Sequence, residues 1–281
     1  MCIRQLVLKQ VRPLDIIIYF NIALFMSAAF QVKSLRIEVV IIMISLGMLN
    51  LTFLVLTMKL RYDLYKRMLA DIAKEAQLEE KAIKEGNDDF IKLKQEMLEN
   101  RVLAELKQER PQGKFIQNAY IPKQGNEYTE IDILMIDRTG IYIIEVKNLA
   151  GKIVGNWKTD EYLKIEHPNG KTYDMYNPVI QNTNHYKNLK NVSGLESKLF
   201  RSIIVFGDHT LFDYKSAPIY VRICQIKSLM FNIEKAALLN PVVIEDHQVE
   251  QIYSTLSKYL VRTEKKQEDH IQNLSGIKSN Q

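Results

Sequence analysis

Glu130 to Gly151 reads EIDILMIDRTGIYIIEVKNLAG, two apolar runs about a polar turn. Ile131 to Ile136 predicts a strand, Asp137-Arg138-Thr139-Gly140 a turn, and Ile141 to Lys147 a second strand. Successive side chains of a strand point to opposite faces, so Glu145 and Lys147 share one face while Tyr142, Ile144 and Val146 turn the other way into a core. A carboxylate and an ammonium on an otherwise apolar strand are costly to bury without partners. Asp132 interrupts the preceding strand in the same manner. One reading is chemical. Asp132 and Glu145 bind a hard divalent cation, Mg2+ (or Mn2+), while Lys147 orients a water or neutralises charge on a phosphate. The other is an ordinary half-exposed hairpin whose Asp132, Glu145 and Lys147 make surface ion pairs.

Toward the C-terminus, Asn177 suits a helix N-cap and Pro178 the first helical position. In the helix they open, Gln181 and His185 stand four apart on one face, and Val179, Thr183 and Tyr186 lie on another. The Gln181/His185 face either looks into a site or is simply solvated. Lysines and aromatics interleave from Lys152 through Trp157, Lys158, Tyr162, Lys164, Lys171, Tyr173, Tyr186 and Lys187 to Lys190, a mixture that suits phosphate contact and base stacking and equally an ordinary surface. Ser202–Phe206 and Ile219–Ile226 read as strands, and Ile233–Leu239 as a short helix. Asp246–Leu260 reads as an amphipathic helix with Val249, Ile252, Leu256 and Leu260 as its stripe. Residues 263–281 are polar and aperiodic and read as a disordered tail. Strands flanked by helices predict an α/β domain with one mixed sheet between helices over residues 88–262.

Toward the N-terminus, a helix carrying Phe90, Leu93, Met97, Val102 and Leu106 stops before Pro111-Gln112-Gly113, with Asp88 or Asp89 as its expected cap. Residues 60–87 form a helical connector with Leu60, Leu64, Met68, Ile72 and Ala76 in a stripe. Before it lie two apolar runs, 14–32 and 39–58, each close to the roughly 20 residues that cross a bilayer. Lys33-Ser34-Leu35-Arg36 joins them into a transmembrane hairpin over residues 1–59. Arg4, Lys9 and Arg12 precede the first run, and Lys59, Arg61, Lys66 and Arg67 follow the second. Both termini are therefore expected in the cytoplasm, at the cell membrane. Read instead as a signal peptide cleaved near Ser27 and Ala29, the first run leaves the second as the anchor and the sidedness unchanged. The chain of 281 residues has a formal net charge of +5 and two cysteines, Cys2 and Cys224, which excludes a disulfide framework and a structural zinc site. It has no Gly-rich phosphate loop and no defensible Ser-His-Asp order.

Several segments together resemble the nuclease-related domain, NERD, itself similar to the PD-(D/E)XK nuclease superfamily. Leu98-Glu99-Asn100-Arg101-Val102 through Leu106 resembles the family's opening helix, and Glu130-Ile131-Asp132 its "Q-I-D" strand. Gly140 to Asn148 resembles the strand "G-I-hydrophobic-E-x-K-N". Gly151, Ile153, Gly155 and Trp157 resemble the G-x-I-x-G turn and its aromatic, and Tyr176-Asn177-Pro178 with Gln181, Asn182 and His185 the "N-P-x-x-Q" helix start. The sequence departs from the family at Glu130, where glutamine is common, and at Leu98, where glycine is usual. The resemblance implies a restriction-endonuclease-like core with Asp132, Glu145 and Lys147 as catalytic residues. It adds Glu99 and Gln181 as accessory residues.

The expected function is a membrane-anchored, cytoplasm-facing, magnesium-dependent nuclease acting on DNA or RNA. The partners are then nucleic acid and the bilayer, contacted through residues 14–58. The alternatives are a nuclease-like domain that binds nucleic acid or a protein without cleaving, and a membrane scaffold that forms a homo-oligomer through the Leu60–Glu85 helix.

Overall fold

The structure is a computed structural model and describes residues 37–123, 127–213, 216–239 and 241–260. The chain divides into two units, Met1–Met68 and Leu69–Gln281. What is described of the first belongs to α1 (Ile37–Lys84), a helix of 48 residues that continues into the second. Along it Leu46, Met48, Leu49, Leu51, Phe53, Val55, Leu56 and Met58 are all exposed, by 49–67%. Among the described residues no helix is long and apolar enough to cross a membrane. The expected first span, 14–32, lies outside the described residues, as do the side chains that begin the second. The expected tail, 263–281, lies outside them as well.

The second unit is built on a five-stranded sheet in the order β1 (Lys114–Pro122), β2 (Tyr128–Asp137), β3 (Gly140–Lys147), β7 (Phe200–Phe206) and β9 (Val221–Gln225). The first three strands run antiparallel, and β3, β7 and β9 run parallel. Asp137 makes the β2–β3 turn by accepting the Thr139 N–H at 2.7 Å, while Gly140 takes a φ of 148° facing the Leu199 carbonyl. Covered on both faces, β3 is buried at every position but Lys147, which is why it reads as an almost unbroken apolar run.

One face of this sheet packs on α2 (Asp88–Glu109) and α4 (Leu229–Leu239). Leu98, Val102 and Leu106 of α2 meet Met135, Tyr142, Ile144 and Val205, with Ile233 on the α4 side. The opposite face packs on α3 (Pro178–Ser193) and α5 (Asp246–Ser257). There Leu189 and the stripe Val249, Ile252 and Leu256 meet Ile116, Ile131, Leu134 and Ile141. The arrangement is the mixed α/β sandwich that the hydrophobic periodicity implies. It departs from expectation in having two sheets. β4 (Gly151–Val154), β5 (Tyr162–Glu166), β6 (Thr172–Tyr176) and β8 (Thr210–Phe212) form a four-stranded second sheet in the order β6-β5-β4-β8. Trp157, buried to 1% exposure, fills the core between it and Phe206, and its indole N–H donates to the Asp213 carbonyl at 2.9 Å.

The cap of α2 also differs from expectation. Asn87, not Asp88 or Asp89, accepts the Phe90 N–H at 3.0 Å, leaving both aspartates in the first turn, where the helix dipole favours negative charge. Within this unit the C-terminal end of α1 is anchored by polar contacts. Both Glu79 oxygens accept the Ala150 N–H at 3.1 Å, and Lys94 approaches Glu79 at 2.6 Å and Glu75 at 2.9 Å. Ile72 and Ala76 are buried beside them. The β3–β4 connection is thus held from outside the sheet.

Candidate active site

A break in the sheet creates the site. The β2–β3 ladder stops at the pair Ile133↔Ile144, and the β1–β2 ladder omits one rung between Gln117↔Ile133 and Ala119↔Ile131, where Asn118 takes a φ of 53°. Beyond that point β2 no longer satisfies the edge of β3, and side chains take over. Asp132 Oδ2 accepts the Val146 N–H at 2.7 Å. The Gln95 side-chain amide donates to the Val146 carbonyl at 2.8 Å and accepts the Asn148 N–H at 3.0 Å. Gln95 therefore imitates a peptide unit of the missing strand neighbour. Its Nε2 also donates to Glu99 Oε1 at 2.8 Å, tying α2 to the end of β3.

On the face of β3 turned toward α3, Glu145 is 1% exposed and approaches two cations or donors. Lys147 Nζ stands 2.6 Å from Oε1, and His185 Nε2 stands 3.2 Å from Oε2. The Thr129 hydroxyl lies 2.9 Å from His185 Nδ1. With Glu145 ionised and accepting, the consistent assignment puts the proton on Nε2 and has Thr129 donate to Nδ1. α3 can present His185 because Asn177 caps it, accepting the Val179 N–H at 3.0 Å, and because the buried Asn182 donates to the Ile143 carbonyl at 3.0 Å and clamps the helix to the sheet.

Burial dominates the electrostatics and is opposed unequally. For Asp132, burial and then the Glu145 charge hold the carboxyl well above its usual range, despite Lys147. Burial pushes Glu145 the same way, but the Lys147 charge and His185 outweigh it and hold the carboxyl low. Lys147 is pulled down by burial yet ends raised, because Glu145 and Asp132 stabilise its charge. Glu99 is raised by burial, with Gln95 opposing and Glu130 and Glu145 adding to the rise. Two carboxylates with unlike proton affinities beside one ammonium form a polarised set rather than a neutral ion pair.

All five residues singled out in the sequence, Glu99, Asp132, Glu145, Lys147 and Gln181, line a single cleft of about 870 Å³. Its walls carry five carboxylates (Glu99, Glu130, Asp132, Glu145 and Glu161) against three ammonium groups (Lys123, Lys147 and Lys187). Among the described residues no group of three or more His, Cys, Asp or Glu is arranged to hold a metal. The donor set instead offers Asp132 and Glu145 in a cleft lined by five acidic side chains, of which Asp132 and Glu99 hold their protons to raised pH. That suits a hard cation such as Mg2+, which takes one or two carboxylates and keeps several waters.

His185 carries more weight than its place on a helix face suggested, since it is buried against Glu145. Thr129 and Gln95 had no sequence signal, being one threonine in a strand and one amide on a helix that looks solvated. The interleaved lysines and aromatics separate. Trp157 is core, Tyr186 packs on Phe200, and Lys164 pairs with Asp174. Lys171 pairs with Glu80, and Tyr162 and Lys187 line the cleft, where Tyr176, outside that set, joins them.

Residues 94–207 match the family NERD, described as nuclease-related domain. The matched stretch runs from Lys94 on α2 to Gly207 after β7 and so contains every residue of the site named above. It excludes β8, β9, α4 and α5. Leu98 occupies its place close to the end of β7, where a Cβ on Gly207 would stand 3.5 Å from Leu98 Cδ2. No curated protein matches the chain, and no solved structure matches it.

Proposed function

We propose that the chain is a metal-dependent nuclease that hydrolyses phosphodiester bonds of DNA or RNA and is anchored in the cell membrane with both termini in the cytoplasm. The observation that carries the chemistry is the convergence of Asp132, Glu145 and Lys147 at the end of β3, in a cleft that also holds Glu99, Gln181 and His185. The NERD match over the same residues supports it. Asp132 and Glu145 would hold Mg2+ (or Mn2+), which when bound supplies Lewis acidity and a water of lowered pKa. Lys147 keeps its charge beside Glu145 and offsets the negative charge that grows on the phosphoryl oxygens. Gln95 and Asp132 fix the Val146 backbone between Glu145 and Lys147, which sets the positions from which both side chains reach the substrate.

Membrane anchoring rests on the two apolar runs and on the flanking basic residues. Support comes from the exposed apolar side chains on α1 from Leu46 to Met58, which are a liability in water and are solvated in a bilayer.

A second reading is favoured by one contact set. Lys147 and His185 already engage both Glu145 oxygens, so a cation must compete for them, and a domain that binds nucleic acid without cleaving it would keep this arrangement. The two readings separate when the full chain in detergent is incubated with labelled DNA and RNA, single- and double-stranded, with Mg2+, Mn2+ or chelator. Cleavage that needs metal supports the nuclease. Binding without cleavage under every condition supports the second reading.

A further inference from the structure

We propose that Tyr162 and Tyr176 form a stacking platform for an unpaired base, which makes single-stranded nucleic acid the ligand of the cleft. This rests on the nucleic-acid reading above. The two rings meet edge to face with centroids 5.7 Å apart and an interplanar angle of 70°. In a T-shaped pair each ring keeps at least one face uncovered by the other. Tyr162 is 46% exposed and Tyr176 half-buried, and both line the same cleft as Asp132, Glu145 and Lys147. Tyr162↔Tyr176 is the outermost register pair of β5 and β6, at the end opposite the 167–171 turn, so both rings sit on paired strands rather than on a loop.

The charge on the cleft walls argues against a duplex. Duplex affinity comes mainly from phosphates neutralised by lysine and arginine. Here carboxylates outnumber ammonium groups, Lys147 is paired with Glu145, and Lys123 stands 3.5 Å from Glu127. Lys147, at the reacting phosphate, and Lys187 are then the ammonium groups that meet one. Beside Lys187, Gln181, Asn184 and Asn188 share a helix face at spacings of three and four residues, and side-chain amides bond to base edges or sugars rather than attract a polyanion at long range. With two ammonium groups beside the metal site on these walls, affinity for a strand draws on base faces, and a duplex keeps its base faces covered.

The test uses the full chain in detergent with Mg2+, in a Glu145→Gln background to stop turnover, and measures fluorescence anisotropy of labelled 12-mers. Single-stranded DNA and RNA should bind more tightly than the DNA duplex. Tyr162→Leu should weaken single-strand binding roughly 5- to 150-fold, the range of one base–aromatic stack, while Tyr162→Phe should retain it. One abasic site placed at successive positions of the DNA strand should reduce affinity at one or two positions, and this sensitivity should vanish in Tyr162→Leu. The salt slope should be shallow, about −0.7 to −1.4 in log K against log salt, as for one or two phosphates on a single strand. Duplex binding equal to or tighter than single-strand binding overturns the platform and leaves nucleic-acid binding intact. So does a Tyr162→Leu loss that persists unchanged on abasic strands. Failure of any nucleic acid to bind overturns the underlying reading as well.

Discussion

Replacing Gln95 with Leu tests whether this side chain stands in for the missing strand neighbour. The substitution keeps the bulk and removes three contacts at once: the donation to the Val146 carbonyl, the acceptance of the Asn148 N–H and the donation to Glu99. A buried backbone group left without a partner costs about 1–3 kcal/mol. Gln95 is half-buried, so water reaches part of the gap and the lower half of that range applies to each of the two backbone groups. The sum is about 2–4 kcal/mol. For a unit of this size 1 kcal/mol moves the melting temperature by about 2–4 °C, so a fall of roughly 4–16 °C follows from the same estimate. Trp157, the single tryptophan of the chain, is buried in the second sheet of the same unit and reports the transition through its fluorescence. The full chain is heated in detergent, wild type against variant. A shift below 2 °C would refute the idea that Gln95 completes the edge of β3.

Two further outcomes follow from the same geometry. Asp132 and Glu99 hold their protons to higher pH in the folded chain than in the unfolded one, so the fold loses stability as pH climbs from the unfolded carboxylate range, about pH 4, through the folded values. Glu145 acts oppositely, contributing stability that is present above its unfolded value and lost as pH falls through its lowered folded value. In chelator, Asp132→Asn should therefore gain on wild type in melting temperature between pH 5 and 8, and parallel curves would contradict the assignment. Gly207→Ala places a Cβ 2.8 Å from Asn148 Oδ1, whose amide is held by the Lys94 carbonyl at 2.7 Å. Overpacking of this kind costs about 1–3 kcal/mol, measurable by urea unfolding, and an unchanged midpoint would show that Asn148 moves freely.

Much of this architecture was legible in the residues, and the illegible parts have identifiable causes. The β2–β3 hairpin is readable because alternation leaves Glu145 and Lys147 conspicuous among isoleucines. α3 is readable because Asn177 and Pro178 mark its first turn, and α5 because Val249, Ile252 and Leu256 recur at helical spacing. The second sheet is not, since β5 buries just Leu163 and Ile165 between exposed Tyr162, Lys164 and Glu166, too short a pattern to separate from a polar loop. Glu99 and Gln95 sit on a helix most of whose other charged residues, Asp88, Asp89, Lys92, Glu96, Arg101 and Lys107 among them, are exposed, and nothing local distinguishes the inward carboxylate and amide from the outward ones. That distinction arises only when β2 leaves β3 and its unsatisfied edge meets α2, a tertiary event with no counterpart in the spacing. His185 belongs to the same class, on a helix face that reads equally as solvated yet buried against Glu145 because Asn182 ties α3 to the sheet.

Whether Glu145 and Lys147 act on a phosphodiester is read from single-turnover cleavage. Wild type, Glu145→Gln and Lys147→Met are compared as full chains in detergent with Mg2+, each first shown to be folded by Trp157 fluorescence. Wild type should cleave in a metal-dependent way and both variants should lose at least about 100-fold, the scale on which removing one preorganised charge-stabilising group acts. Equal cleavage by wild type and both folded variants would show that neither acts on the phosphodiester.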